Sequence, residues 1–214
     1  FVQSDDRRVD DCKTLKERAT PILKQKGTSA QLAQKACQEW YDVRAFGQVF
    51  ALKDKGAEKG SGVSIGIRGP VSIQPAFSTD MVNVTSTQIT KSVSNDGDGS
   101  KKSSDTMGMK HRIDKGTYVF FGAINPQLAE LTGFSDEDAS LLKQALPQMF
   151  EGDASSARPE GSMSVQKVIW WEHNCKSGQY SSAKVHHSIE ITPDGTIAEK
   201  YDLPGLKPET IEGF

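Results

Sequence analysis

Cysteine is scarce: Cys12, Cys37 and Cys175 are the three in 214 residues, far apart and odd in number. Such a set supports neither a disulfide framework nor a paired-thiolate zinc site, and reads as buried or idle thiols in a reducing compartment. Long apolar runs are missing too, since nothing approaches the ~20 residues a membrane-spanning helix needs. No basic, apolar, small-residue leader is recognisable at the start. These absences lead to the expectation of a soluble, cytoplasmic protein with no membrane partner. Charge of one sign is also lacking: the formal net charge is -2, which does not announce a nucleic-acid binder. The usual catalytic fingerprints (GxSxG, Walker, HExxH, dinucleotide-binding) are absent. The Gly clusters near 60–69 and 95–99 lack the lysine-serine ending that would hold phosphates on a helix. His173-Asn174-Cys175, with His186-His187 downstream, offers ligand atoms but not ligating spacing, because adjacent residues of a strand face opposite sides. Asp136 and Asp138 read as favourable charges at a helix start rather than as an acid/base pair. The sequence nominates no enzyme, no metal and no cofactor.

Hydrophobic residues make up 36% and charged residues 25%, enough for a packed core. Residues 10–26 are rich in helix formers, with Pro21 breaking the middle. A second helix is expected from Ser29, which can cap it, with Leu32, Ala33, Ala36, Cys37, Trp40, Val43 and Phe46 as an apolar stripe ending near Gly47. Lys53 to Gly62 is a Gly/Lys-rich loop. Val63, Ile65 and Ile67 alternate as a strand, resumed by Val71 and Ile73 after Gly69-Pro70, which suggests a bulge or an edge. From Ser78 to Met109 polar residues take over in a stretch too long for a passive turn. A strand is expected at 117–123, a short helix from Pro126 to Leu131, and a longer helix capped by Ser135, with Pro147 at its end. Strands at 165–173 and 184–191 follow, then a tail read as an arm or extension. With one strand prefixed, the order is the split βαβ ferredoxin-like pattern, shared with the RRM family of RNA binders.

Charge is unevenly placed. Lys91 to Lys115 holds six basic against four acidic residues, a local +2, and Pro193 to Phe214 holds five acidic against two basic, a local -3. Within DTMGMKHRIDKGTY (105–118), Lys110, His111 and Arg112 stand beside Met107 and Met109. The stretch fits a solvated loop entering a strand. It fits equally a phosphate-binding segment whose methionines wedge between bases. Met107 itself reads either as that wedge or as a core plug. Arg44 and Arg68 add planar donors suited to phosphate, though Arg44 can simply lie along its helix. Asp153 to Arg158, with Ser155 and Ser156, is a second loop that reads as a contact site or as an ordinary capped turn.

The blocks WYDVRAFGQVFA, GVSIGIRGPVSIQPAFS, QITKSVS, SSDTMGMKHRIDKGTYVFFGAINPQLAELTGFSDEDA, ASSARPEGSM and VIWWEHN…GQYSSAKVH occur in order between about residues 38 and 192. Together they closely resemble the crRNA-binding backbone subunit of type I CRISPR Cascade, nearest to the type I-C variant. The resemblance implies an α+β, ferredoxin-like (RRM-like) palm forming one domain over 1–214. In it, 1–28 would be a remnant of a helical fingers region, 78–109 a thumb hairpin inserted into the palm, and 193–214 a C-terminal extension. The chain opens Phe1-Val2-Gln3 in mid-pattern, so the family's N-terminal palm strand and its Asn/Gly/Pro-rich loop are expected upstream of it.

The resemblance further implies a bacterial or archaeal cytoplasmic protein that coats guide RNA (crRNA) without reading its sequence, polymerises with further copies of itself, joins other Cascade subunits and meets target DNA through the guide. A coat for changing spacers must hold phosphate and ribose, leaving base edges free. The candidate contacts are Arg44, Arg68, Lys91, Lys110, His111, Arg112, Ser155, Ser156 and Arg158, with Met107 the candidate wedge. Type I resemblance implies no cleavage. Two other readings stand beside it. A monomeric RRM-like single-strand binder would use sheet-face aromatics, for which only Trp170 or Trp171 and Tyr118 could serve, and a metal-dependent endoribonuclease on the same fold would use His111 or His173.

Overall fold

A computed structural model describes residues 1–52, 63–90 and 107–214. Helix α1 (Leu15–Leu23) starts where the Thr14 side chain accepts the Glu17 N–H, and Pro21 sits close to its end rather than splitting a longer helix. Helix α2 (Ser29–Glu39) is capped by Thr28, not Ser29: the Thr28 hydroxyl accepts from Gln31 N–H, and the Gln31 side chain accepts from Thr28 N–H. The apolar stripe expected to run unbroken to Phe46 is interrupted at Trp40, whose backbone is extended, and helix α3 (Tyr41–Phe46) starts afresh. The break lets the Trp40 ring pack 4.9 Å from Phe1 and 6.0 Å from Phe50.

Strand β1 (Gly47–Leu52), which the periodicity did not reveal, follows directly and pairs antiparallel with β2 (Val63–Arg68). Gly47 has φ +81, and a Cβ there would lie 2.3 Å from the Ile67 carbonyl oxygen, so only glycine lets the chain turn so tightly against β2. Phe50 and Ile65, directly opposite each other, bury one face of this hairpin against α1 to α3, with Leu23, Leu32, Ala36, Cys37 and Val43.

Next come β3 (Val71–Ile73), β4 (Phe77–Ser78), β5 (Val84–Thr90), β6 (Met107–Ile113), β7 (Tyr118–Val119) and β8 (Gly122–Ile124). They nest as one arm: β3 pairs with β8, β4 with β7 and β5 with β6, all antiparallel. Val71 opposes Ile124 at the root and Thr90 opposes Met107 far out. The expected insertion therefore has its ladder continuing to Ile113, four residues past Met109, and the strand expected at 117–123 is two short pieces on the returning limb. The root is fixed in a second core, in which Ala45, Val71 and Phe134 are buried against Tyr41, Ile124 and Leu142.

Helix α4 (Pro126–Thr132) is capped by Asn125 and stopped by Gly133, which is left-handed. Helix α5 (Asp136–Ala145) opens on a capping box between Ser135 and Asp138, and gives way to a 3-10 turn (Leu146–Gln148) at Pro147. Strand β9 (Lys167–Trp171) follows. The strand expected at 184–191 is largely not one: Ser182–His186 is a short helix, α6, and only Ile189–Ile191 is a strand, β10. Ser181 accepts the Lys184 N–H and starts the helix, so the alternation of Val185 and His187 is coincidental. The tail is no free arm. Its strand β11 (Ile197–Glu199) pairs with β10, β12 (Pro208–Glu212) pairs with β9, and Leu203 and Leu206 are buried with Val185 beside Trp171 and Tyr180. The fold is α+β; the described strands pair in twos rather than joining as one four-stranded palm sheet.

Candidate nucleic-acid interface

The outer part of the arm, β5 with β6, is a seven-rung antiparallel ribbon with Val84 opposite Ile113 and Thr90 opposite Met107. Side chains alternate along a strand, and opposed residues share a face. One face carries Val84, Ser86, Gln88 and Thr90 with Met107, Met109, His111 and Ile113. The other carries Thr85, Thr87 and Ile89 with Gly108, Lys110 and Arg112. All seven residues of β6 are exposed, Met107 at 63% and Met109 at 55%, so Met107 is not a core plug. The strand also separates the three adjacent cationic positions: Lys110 and Arg112 share a face, and His111 lies with the methionines.

Cross-strand contacts order this surface. Ser86 Oγ lies 2.8 Å from His111 Nδ1, and Gln88 Nε2 donates to Met107 Sδ at 2.7 Å. Arg112 Nε donates to Asp114 Oδ1 at 2.9 Å, and Thr85 Oγ1 donates to Asp114 Oδ2 at 3.0 Å, so an acidic residue partly neutralises the cationic face. Lys110, opposite Thr87, has no ion-pair partner among the described residues. Gly108 is not an open backbone window, because Ile89 lies over it and an added Cβ would meet Ile89 Cγ1 at 3.4 Å.

The other candidates fall elsewhere. Arg44 is occupied internally: Nε and Nη2 donate to the two Asp138 oxygens at 2.8 and 2.7 Å, and Nη1 donates to the Cys37 carbonyl at 2.6 Å. This guanidinium beside Asp138 holds its carboxyl below the usual carboxylate range and raises its own pKa. Arg68 ends β2 opposite Gly47, exposed and without an ion-pair partner among the described residues. Ser155 and Arg158 close a turn on themselves through Ser155 N–H to the Arg158 carbonyl (2.7 Å) and Arg158 N–H to Ser155 Oγ (3.1 Å). Arg158 Nη2 also donates to Asp153 at 2.8 Å, while Ser156 is exposed in the same turn. Lys91 lies outside the described residues. The structure thus brings together Met107, Lys110, His111 and Arg112, and leaves Arg44, Arg68 and the 155–158 turn in separate places.

Ser86, Thr85 and Asp114 escaped sequence reasoning because they act through cross-strand partners 25 to 29 residues away. The signal that could have found them is the hydroxyl-rich alternation of VTSTQIT against MGMKHRI. The acidic tail also differs from its charge count: Asp202, Glu209 and Glu212 pair with Lys207, Lys143 and Lys167 of the same chain. Among the imidazoles, His173 Nδ1 accepts the Gln179 N–H at 3.0 Å. His186 stacks on Phe121 at 4.6 Å, and its burial lowers its pKa. Among the described residues no group of three or more His, Cys, Asp or Glu is placed to hold a metal ion, and no helix is long and apolar enough to cross a membrane.

Fold and site together define an α+β protein that carries an exposed two-stranded arm of hydroxyls, amides, methionines and cations. A family model for CRISPR-associated protein Cas7 matches residues 1–204, and the chain belongs to that family. Its members are RNA-binding backbone subunits of type I CRISPR systems that bind crRNA and other Cascade subunits, and some members are nucleases. No curated protein matches the chain.

Proposed function

We propose that this chain binds CRISPR guide RNA without regard to sequence, as the repeating subunit of a Cascade surveillance complex, and presents the guide for pairing with target DNA in antiviral defence. Copies associate head to tail along the guide, the heterologous contact that makes open filaments. The residue 78–109 segment, continued by its ladder to Ile113, is the thumb that crosses the guide. The observation that carries this reading is the ribbon, which stands out of the core with every residue of β6 exposed. Its methionine face suits an unstacked base, since a thioether side chain replaces stacking without choosing among bases. Its Lys110 and Arg112 face suits phosphate. In this reading the chain coats the guide and does not cleave RNA.

Two unrelated guides of equal length, titrated with the intact chain across a salt series, test the proposal. Affinities should agree within about threefold and fall with salt, with a log–log slope of about -0.7 for each phosphate neutralised on a single strand. Tenfold discrimination between the guides, or a flat salt response, would contradict it.

A further inference from the structure

The face that carries Met107 and Met109 also carries an imidazole, which neither an apolar wedge nor phosphate attraction requires. His111 is opposite Ser86, on the same side as the methionines and on the reverse side from Lys110 and Arg112. Its Nδ1 is 2.8 Å from Ser86 Oγ, which fixes the ring through one nitrogen and leaves Nε2 without a partner among the described residues. His111 is itself exposed. Residues two apart on one face of a strand are separated by about 6.8 Å, so the imidazole stands two rungs from Met109, within reach of the nucleotide beside an unstacked base.

We infer that His111, oriented by Ser86, contacts the 2′-hydroxyl of that nucleotide and makes the ribbon distinguish ribose from deoxyribose; this rests on the ribbon being the RNA-binding element. The chemistry fits either tautomer. When the Ser86 hydroxyl donates to Nδ1, Nε2 carries the proton and donates to the 2′-oxygen. When Nδ1–H donates to Ser86, Nε2 accepts from the 2′-hydroxyl. A 2′-hydroxyl is both donor and acceptor and can answer both states, whereas a phosphate oxygen, which only accepts, answers one. The same contact is indifferent to the base, as a coat on varying guides requires. Ser86 is a positioning residue here, and His111 the specificity-determining one.

The test compares three oligonucleotides of one sequence, with ribose, 2′-deoxyribose or 2′-O-methyl sugars, on the intact chain and on His111→Ala, Ser86→Ala and Lys110→Ala. Loss of a single hydrogen bond predicts that His111→Ala lowers the ribose-to-deoxyribose affinity ratio by about two- to tenfold, with Ser86→Ala following more weakly. Lys110→Ala should weaken ribose and deoxyribose strands alike and leave the ratio unchanged. If Lys110→Ala behaves so but His111→Ala leaves the ratio where it was, the ribose contact is wrong and the ribbon reading survives. If neither variant changes affinity for any strand, the ribbon reading fails and the inference with it. His111 and Ser86 are both exposed, so thermal melts matching the parent chain show that each variant is folded.

Discussion

Two antiparallel hairpins of similar length meet opposite fates in this chain. In β1–β2, Phe50 opposes Ile65 and both are buried under α1 to α3. In β5–β6, Ile89 opposes Gly108 and Met109 opposes Gln88, all of them exposed. Burial on one face explains the first hairpin fully, since a pleated ribbon with an apolar side is stabilised by whatever covers it. The second has no cover among the described residues, and a lone two-stranded ribbon is marginal in water. It is anchored instead at its root, where Val71 and Ile124 join the second core, and runs outward through β4–β7. The inner hairpin is there for stability and the outer one for the surface it presents.

Truncation should separate the two most widely. Phe50 is 3% exposed and packs edge-on against Phe1 and at a tilt to Trp40, so Phe50→Ala is expected to cost about 3–5 kcal/mol in denaturant unfolding. Met109→Ala on the ribbon should stay within about 0.5 kcal/mol. Equal losses at the two positions would break the comparison.

The Arg44–Asp138 pair ties α3 to α5 beside the second core, and losing one partner leaves the other at least half-buried without its counter-charge. Asp138→Ala should cost about 3–5 kcal/mol, again by denaturant unfolding. Its pH dependence has a definite sign. The folded-state pKa of Asp138 lies below the ordinary carboxylate value because of Arg44, so the stabilisation is complete above about pH 4 and is lost as pH falls through the folded value. Asp10, held at about 2 by Arg18, adds to the loss between about pH 4 and 2. Melts from pH 5 to 2 should show a shallower decline in Asp138→Asn than in the parent.

The smallest effect is expected at Asp114, which holds Arg112 on the exposed ribbon. Surface pairs contribute about 0–1 kcal/mol, so Asp114→Ala should barely move the melting temperature. It should nevertheless raise RNA affinity by unmasking Arg112, an opposition of effects that a residue of the inner hairpin would not show.

Sequence reading went furthest where a signal is local. The Ser135 cap with Asp138 three residues on, the α+β alternation and the cation-bearing character of 105–118 are all legible. What escaped is set by partners remote in sequence. Asp138 was read as a helix-start charge, and so it is, but its carboxylate also binds Arg44, 94 residues away. That same contact takes Arg44 up in the interior. Strand β1 was hidden because Gly47 turns a helix into a strand with no loop between, and α6 because five helical residues can imitate alternation. In the candidate site the residue types were visible, but the assignment of His111 and Lys110 to opposite faces depended on knowing that 107–113 is a strand and which residues oppose it.

The central claim is that the ribbon crosses the guide and unstacks bases with its methionine face. A fluorescent base analogue placed at successive positions of a guide, in the assembled full-length complex, reads this directly. Bright positions should recur at a regular interval and dim in Met107→Ala, whose melting temperature stays close to the parent's; uniform quenching along the whole guide of the parent complex would contradict the account.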